Sequence, residues 1–191
     1  MPSMMTSPLS LWESLSLSIG STPSTPDIPG INGKNVTTCR QVLPGEKKTG
    51  KKIVIIGGGL IGCETGDFLA QKGKEVVLTF PEAAPMTLEV VDRSIRNVLL
   101  ERLATGKVKI LAGVKQFQEI NSQGIKIVDQ EGNEIFLEAD NIVLAAGAKP
   151  DQTLAELLRG KVSELYEVGD CVEARRIADA IEGGAEAGLQ I

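Results

Sequence analysis

The fold is decided by the stretch KIVIIGGGLIG, residues 52–62 of the chain. Its first half is a continuous apolar run, which is typical of a buried parallel strand. Its second half is a glycine-rich turn, after which residues 63–72 are predicted to form a helix that ends at Gly73. Another apolar run over residues 76–80 predicts the next strand. Strand, turn, helix and strand in this order form the βαβ unit of an α/β domain with a parallel sheet.

The turn fits the pattern G-x-G-x-x-G, and each of its glycines has a separate physical reason. Gly57 permits the tight turn, Gly59 lets the backbone approach a pyrophosphate, and Gly62 lets the helix pack closely against the strand. Free amides and the positive end of the helix dipole attract phosphates at this place. The sequence therefore predicts a dinucleotide site, against the alternative of a turn whose glycines serve packing alone. The predicted binding residues are Gly57, Gly58, Gly59, Leu60, Ile61 and Gly62.

The end of the next strand indicates which dinucleotide binds. An acidic residue there holds the ribose hydroxyls of NAD, whereas a nearby Arg suits the phosphate of NADP. The strand ends in Phe80, with Glu82 two residues further on and no basic residue before Arg93. We therefore predict NAD, with NADP as the alternative, and include Phe80 and Glu82 among the cofactor-binding residues. The competing interpretation of Glu82 is a solvated loop carboxylate.

The rest of the chain continues to alternate strands with helices, apart from residues 114–138. The period-two pattern and turns of that segment predict a three-stranded antiparallel meander. Thr87 is predicted to cap a helix whose apolar stripe extends to Leu103. The fold class is therefore α/β: a Rossmann-like, three-layer nucleotide-binding domain with a parallel sheet, helices on both faces and the meander. Further strands are predicted at residues 108–111, 141–146 and 164–168, and further helices at residues 154–159 and 175–189.

The composition of the chain excludes several classes of function. The chain has 191 residues, a net charge of −5, no His and 3% aromatic residues. An acidic balance with few aromatic rings argues against nucleic-acid binding, and the lack of His excludes Ser-His-Asp catalysis and His-metal sites. The 3 Cys residues are widely separated, which excludes a closely spaced redox pair or metal cluster. We predict no catalytic residue and no metal ligand in the chain.

The sequence also bears on location. No apolar run reaches the ~18 residues of a membrane span. The first basic residue is Lys34, so the chain does not begin with the positive charge of a secretion signal. We therefore predict a cytoplasmic protein that does not bind membranes.

Three motifs together resemble one protein family. They are GGGLIGCE at residues 57–64, AAGAKP at residues 145–150 and VGDCVEARRI at residues 168–177. Over residues 18–191 the chain is similar to the C-terminal pyridine-nucleotide and flavin region of the NADH:flavin oxidoreductases, such as 2,4-dienoyl-CoA reductase and enoate reductase. More widely, it resembles the flavoproteins with two dinucleotide-binding domains.

The resemblance implies cofactors and further site residues. In that family the glycine turn binds NAD(P)H, which gives hydride to FAD. The resemblance places Glu64 near the nicotinamide, although stabilisation by the helix dipole alone also explains this carboxylate. It assigns Asp170 to the ribityl chain of FAD, and it adds Ala146, Gly147 and Gly169 to the cofactor-binding residues.

The resemblance also divides the chain into segments. Residues 51–146 correspond to the NAD(P)-binding domain, and residues 18–50 and 147–191 to two parts of an FAD domain. Residues 18–23 resemble the strand that closes the first half of that FAD domain. Residues 1–17 are predicted to be a disordered or non-homologous tail.

The chain departs from the family pattern as well. No second G-x-G-x-x-G precedes Gly57, and the family's iron–sulfur cysteines and FMN barrel do not occur. We therefore expect a truncated relative in which FAD binding is weak or lost. The leading hypothesis is an NAD(P)H-binding module that passes electrons to a flavin-bearing partner domain or subunit, ultimately for enoyl- or dienoyl-type reduction in the parent family. The alternatives are a non-catalytic NAD(H)-binding or regulatory domain and a gene fragment without independent activity. Apolar surface that the FAD half would cover also predicts a homo-oligomer.

Overall fold

A computed structural model describes residues 14–82 and 93–191 of the chain. It divides into two compact units, which we call the larger unit (residues 24–147) and the smaller unit (residues 14–23 and 148–191). In chain order the strands are β1 Ser14–Leu17, β2 Ser21–Pro23, β3 Val36–Thr38, β4 Lys52–Ile56, β5 Glu75–Thr79, β6 Lys109–Leu111, β7 Gln116–Asn121, β8 Gly124–Val128, β9 Glu134–Glu138, β10 Asn141–Leu144, β11 Ala148–Pro150 and β12 Glu164–Glu167. The helices are α1 Cys39–Val42, α2 Leu60–Gln71, α3 Arg93–Thr105, α4 Thr153–Leu158 and α5 Ile177–Gly188.

The larger unit is built on a five-stranded sheet in the order β3-β10-β4-β5-β6. All neighbouring strands are parallel, and β4 pairs with β5 from Lys52 opposite Glu75 to Ile56 opposite Thr79. The predicted α/β class and parallel sheet are confirmed, and the boundaries of the predicted strands agree with the observed ones to within two residues.

The two faces of this sheet are covered differently. Alternate residues of β4 point to opposite faces: Ile53 and Ile55 join a buried cluster with residues of α1, α2 and α3, whereas Val54 and Ile56 join a second cluster with residues of β7 and β8. The antiparallel meander β7-β8-β9 was expected and is confirmed. The expectation of helices on both faces is wrong for the described residues, because the meander takes the place of a second helical layer.

The helix after β5 differs in part from its prediction. Thr87, its predicted cap, lies outside the described residues. From the predicted apolar stripe, Leu99 and Leu103 are buried in the cluster with α2, whereas Ile95 and Val98 are 55% and 56% exposed. Only part of the stripe therefore packs against the described core.

The segment 18–50, expected as one part of an FAD domain, is divided between the two units, and its residues 24–50 belong to the larger one. The physical reason is strand pairing: β3 lies parallel to β10, with Val36 opposite Ile142. Ile28 adds its side chain to the cluster beneath the meander, and the N–H of Ile120 donates to the carbonyl oxygen of Pro29 at 2.8 Å. This segment thus forms the edge strand of the five-stranded sheet.

The smaller unit consists of short pairings. β1 lies parallel to β12, β2 lies antiparallel to β11, and a 3-10 turn over Gly169–Cys171 leads towards α5. The predicted tail ends in ordered structure, since Ser14–Leu17 form β1; the expectation of disorder up to residue 17 is wrong for these four residues. Among the described helices, none combines the length and apolarity needed to cross a membrane.

Candidate functional site

The glycine turn joins the carboxyl end of β4 to the start of α2. Gly57 has φ +132°, a conformation that L side chains rarely adopt, and a Cβ there would lie 2.2 Å from the carbonyl oxygen of Ala145. A Cβ on Gly62 would lie 2.0 Å from the carbonyl oxygen of Gly57. These two glycines are therefore required by the fold, because backbone passes within contact distance of both.

Gly59, at the N-terminus of α2, has a different environment. It is the N-cap residue, and the N–H of Cys63 donates to its carbonyl oxygen at 3.0 Å, which begins the helical ladder. A Cβ on Gly59 would meet nothing within 4 Å. The first amides of a helix have no intrahelical acceptor, and together with the helix dipole they form a site for an anion such as a phosphate. The space in front of Gly59 leaves that site accessible.

The side chain of Phe80 packs against the glycine turn at Gly58. This side chain is completely buried, and a Cβ on Gly58 would lie 2.4 Å from its ring. Phe80 was predicted to contact the cofactor, but its ring has no exposed surface to offer a ligand. Its role in the structure is to fill the space under Gly58. The sequence holds no signal for this pairing, since it depends on how closely β5 approaches the turn.

The other predicted residues of the larger unit lie at or near the carboxyl edge of the sheet. Glu64, in the first turns of α2, and Glu82, beyond the end of β5, are both exposed. Ala146 and Gly147 follow β10, which is the parallel neighbour of β4, and both are exposed. The carboxyl ends of parallel strands share one edge of the sheet, where ligands of open α/β folds bind. Ile61 in the first turn of α2 is also half-exposed, whereas Leu60 is partly buried.

Gly169 and Asp170 lie in the smaller unit, directly after β12. Gly169 has φ +72°. The Asp170 carboxylate accepts a hydrogen bond from the Ser21 hydroxyl at 3.1 Å and a longer one from the N–H of Arg175 at 3.4 Å. A cleft of about 620 Å³ opens beside Gly169 between β12 and α5. The structure therefore brings Gly169 and Asp170 to one turn of the smaller unit, beside a cleft.

All cysteines of the chain are free and buried. Burial raises the pKa of the Cys63 thiol to about 11, and its sulfur lies 3.6 Å from the carbonyl oxygen of Gly58. Burial also raises the pKa of Cys39. A thiol that stays protonated and buried is a poor nucleophile. Within the described part of the chain there is also no cluster of His, Cys, Asp and Glu residues that could hold a metal.

Fold and turn together define a class: an α/β dinucleotide-binding module with a glycine turn at a helix N-terminus. The comparisons with known proteins are more specific. Residues 11–187 match the family described as pyridine nucleotide-disulphide oxidoreductase, and the chain belongs to this family. The predictions of an oxidoreductase family and of NAD(P) and FAD as its cofactors are thereby confirmed.

Individual relatives agree with this family. The chain is 32% identical over 185 residues to an NADH oxidase of Thermoanaerobacter brockii, covering 92% of this chain and 27% of the relative. It is 29% identical over 191 residues to a metal reductase of Desulforamulus reducens, covering 86% of this chain and 28% of the relative. A solved 2-naphthoyl-CoA reductase complex superimposes with a TM-score of 0.87 and 32% identity, over 94% of this chain and 27% of the other. The chain thus spans little more than a quarter of the length of these proteins.

Proposed function

We propose that this chain is the NAD(P)H-binding module of a flavin-dependent oxidoreductase. The observation that carries the proposal is the contrast among the glycines of one turn. A side chain at Gly57 or Gly62 would collide with backbone at 2.2 Å or less, but a side chain at Gly59 would enter open space. Packing thus explains Gly57 and Gly62 and leaves Gly59 unexplained. A ligand whose pyrophosphate must approach the backbone explains Gly59.

The chain's own residues have limited roles in this proposal. When bound, a nicotinamide supplies hydride and a flavin accepts it. The amides at the start of α2 hold the pyrophosphate, and Glu64 lies on the exposed side of the same helix, where we propose that it helps to position the nicotinamide. The cysteines take no part, because all of them are buried. A bound nucleotide would therefore not reduce a dithiol of this chain.

The flavin side is proposed to be shared with a partner. Asp170 is held by Ser21 and Arg175 through single hydrogen bonds, which leave carboxylate lone pairs for a ribityl hydroxyl. The chain contains no other G-x-G-x-x-G sequence that could hold the pyrophosphate of FAD. We therefore assign residues 18–23 and 148–191 to an FAD domain that a flavin-bearing partner domain or subunit completes. The likeness to 2-naphthoyl-CoA reductase supports an unsaturated acyl compound as the final acceptor of the whole enzyme.

The binding step is tested by calorimetric titration of NADH into the wild-type chain and two variants. Gly59→Ala should weaken binding at least about tenfold, equivalent to about 1.4 kcal/mol, because the new methyl group occupies ligand space. The matched control is Gly184→Ala in α5, where a Cβ also meets nothing within 4 Å. Gly184→Ala should melt at the wild-type temperature or slightly above it, whereas Gly59→Ala should melt slightly below it, because Ala is a poorer N-cap residue than Gly. Absence of saturable NADH binding to the wild type, or equal binding by Gly59→Ala, contradicts the proposal.

The redox step has a separate readout. With free FAD and an artificial electron acceptor present, the wild-type chain should oxidise NADH faster than the same mixture without protein, and Gly59→Ala should not. Binding of NADH without oxidation would favour the alternative of a non-catalytic NAD(H)-binding or regulatory domain.

A further inference from the structure

The end of β5 determines how the adenosine ribose of a bound nucleotide can be recognised. Beyond Thr79 the chain remains hydrogen-bonded to the end of β6 and the residues that follow it. The N–H of Phe80 donates to the carbonyl oxygen of Leu111 at 3.3 Å, and the carbonyl oxygen of Phe80 accepts from the N–H of Val114 at 3.0 Å. The carbonyl oxygen of Glu82 accepts from the N–H of Gly113 at 2.7 Å. These backbone bonds fix the path of residues 80–82. The residue at the strand end is therefore fixed as well, and it is Phe80.

In dinucleotide-binding folds, the end of this strand carries an Asp or Glu that accepts hydrogen bonds from the ribose of NAD, and the same charge repels the extra phosphate of NADP. Phe80 has neither an acceptor nor a charge. Its ring is also completely buried under Gly58, so no change of rotamer within this packing brings it to the surface. The side chain at the strand end therefore packs against the glycine turn and is not available to a ligand.

Among the described residues that directly follow this position, Glu82 is the acidic one. It is exposed, two residues beyond the strand end. Water and salt screen an exposed carboxylate, so its attraction for ribose hydroxyls and its repulsion of a phosphate are both small. Glu82 therefore does not replace a carboxylate held at the strand end.

We propose that the buried Phe80 leaves the strand end without a side chain that can recognise the ribose, so that this chain binds NADH and NADPH with similar affinity. The inference rests on the proposed nucleotide binding and deepens it: affinity comes from the pyrophosphate at the start of α2, which both nucleotides share. Among the residues of the strand end that the structure describes, none holds a buried carboxylate that would repel the extra phosphate of NADPH. Phe80 is a positioning residue in this scheme, and it acts through Gly58 and the turn.

The test is calorimetric titration of the full chain with NADH and with NADPH at several salt concentrations. We expect dissociation constants within about tenfold of each other and the same salt dependence for both nucleotides. Glu82→Gln should change their ratio by less than about fivefold, the effect of one exposed charge. Glu131→Gln, at an exposed turn of the meander, is the matched control and should leave the ratio unchanged.

The possible failures are distinguishable. A preference above about tenfold for either nucleotide overturns the inference; if Glu82→Gln removes a preference for NADH, then Glu82 recognises the ribose. A steeper salt dependence for NADPH also overturns it, because a cation would then be binding the extra phosphate. If the wild-type chain binds neither nucleotide, the proposed function itself fails.

Discussion

The larger and smaller units differ in how they bury their side chains. The larger unit has a buried cluster on each face of its sheet, including fully buried Ile55, Leu78 and Ile142. In the smaller unit, by contrast, the buried hydrophobic residues of the described chain are Leu17, Ala155, Cys171 and Ala187, and none belongs to either cluster. Burial of apolar area is what offsets the loss of conformational entropy on folding. The larger unit therefore buries enough apolar surface to fold by itself, whereas the smaller unit buries much less.

Sheet structure leads to the same contrast. A parallel sheet occurs almost only where other elements cover both of its faces, and in the larger unit helices and the meander do so. The parallel pair in the smaller unit has two strands, and its terminal helix α5 exposes Ile177 by 82% and Ile181 by 67%. We infer that the nucleotide-binding unit is the stable part of this chain. The smaller unit buries too little apolar surface in its described residues to match that stability.

A matched pair of leucines tests this difference where the largest effect is expected. Leu78 in β5 is fully buried, whereas Leu157 in α4 is 61% exposed. Leu78→Ala should lower the free energy of unfolding by about 2–5 kcal/mol, because it leaves a cavity in the core. Leu157→Ala should change it by no more than about 0.5 kcal/mol. Urea unfolding followed by circular dichroism measures both, and similar losses in the two variants would contradict the comparison.

The buried thiols give a second test, because Cys63 lies in the larger unit and Cys171 in the smaller one. Both side chains are at most 1% exposed, so alkylation requires local opening. The free energy of local opening ranges from near zero to that of global unfolding. At low urea we expect iodoacetamide to modify Cys171 about a hundredfold faster than Cys63, as measured by peptide mass spectrometry.

The fully unfolded chain is the control for that experiment, since in high urea both thiols should react at similar rates. Equal rates at low urea would show that the two units open together as one cooperative structure. The contrast drawn from burial would then be wrong.

The sequence predicts local features well. The strand that precedes the glycine turn was predicted correctly, because an apolar run followed by glycines is a local signal. This strand, β4, spans Lys52–Ile56 as expected. β3 was missed because Val36–Thr38 is a three-residue segment whose strand identity comes from pairing with β10, about a hundred residues later. Without β3, the sequence gives no sign that residues 24–50 belong to the larger unit.

The candidate site shows the same limit. The spacing of the glycines identifies the turn, but it cannot separate Gly57 and Gly62, which the backbone requires, from Gly59, which faces open space. For Gly57 that distinction depends on Ala145, which the fold brings from a distant part of the sequence, and for Gly62 it depends on the path of the turn, which brings the carbonyl oxygen of Gly57 against it. The burial of Phe80 under Gly58 is likewise a consequence of packing, and no periodicity in the sequence indicates it.

The smallest expected effect concerns two acids, Asp140 in the larger unit and Asp151 in the smaller one. Asp140 accepts hydrogen bonds from the N–H groups of Lys52 and Lys51, which fastens the start of β4 to the start of β10 and lowers the pKa of Asp140. Asp151 is bonded to Thr153, two residues away, which lowers the pKa of Asp151. The first link joins two strands that are distant in the sequence, and the second is local.

A carboxyl group whose pKa is lower in the folded state stabilises the fold above its unfolded pKa, and this stabilisation is lost as the pH falls through the folded pKa. Asp140→Asn should therefore be less stable than the wild type at pH 7, and the difference should shrink as the pH falls below about 4 and disappear once it lies below the lowered folded pKa of Asp140. Asp151→Asn should leave the main urea transition unchanged at every pH, because its link lies within the less stable unit. Urea midpoints at a series of pH values measure both. An equal effect of the two substitutions would mean that the smaller unit contributes to the main transition as much as the nucleotide-binding unit does.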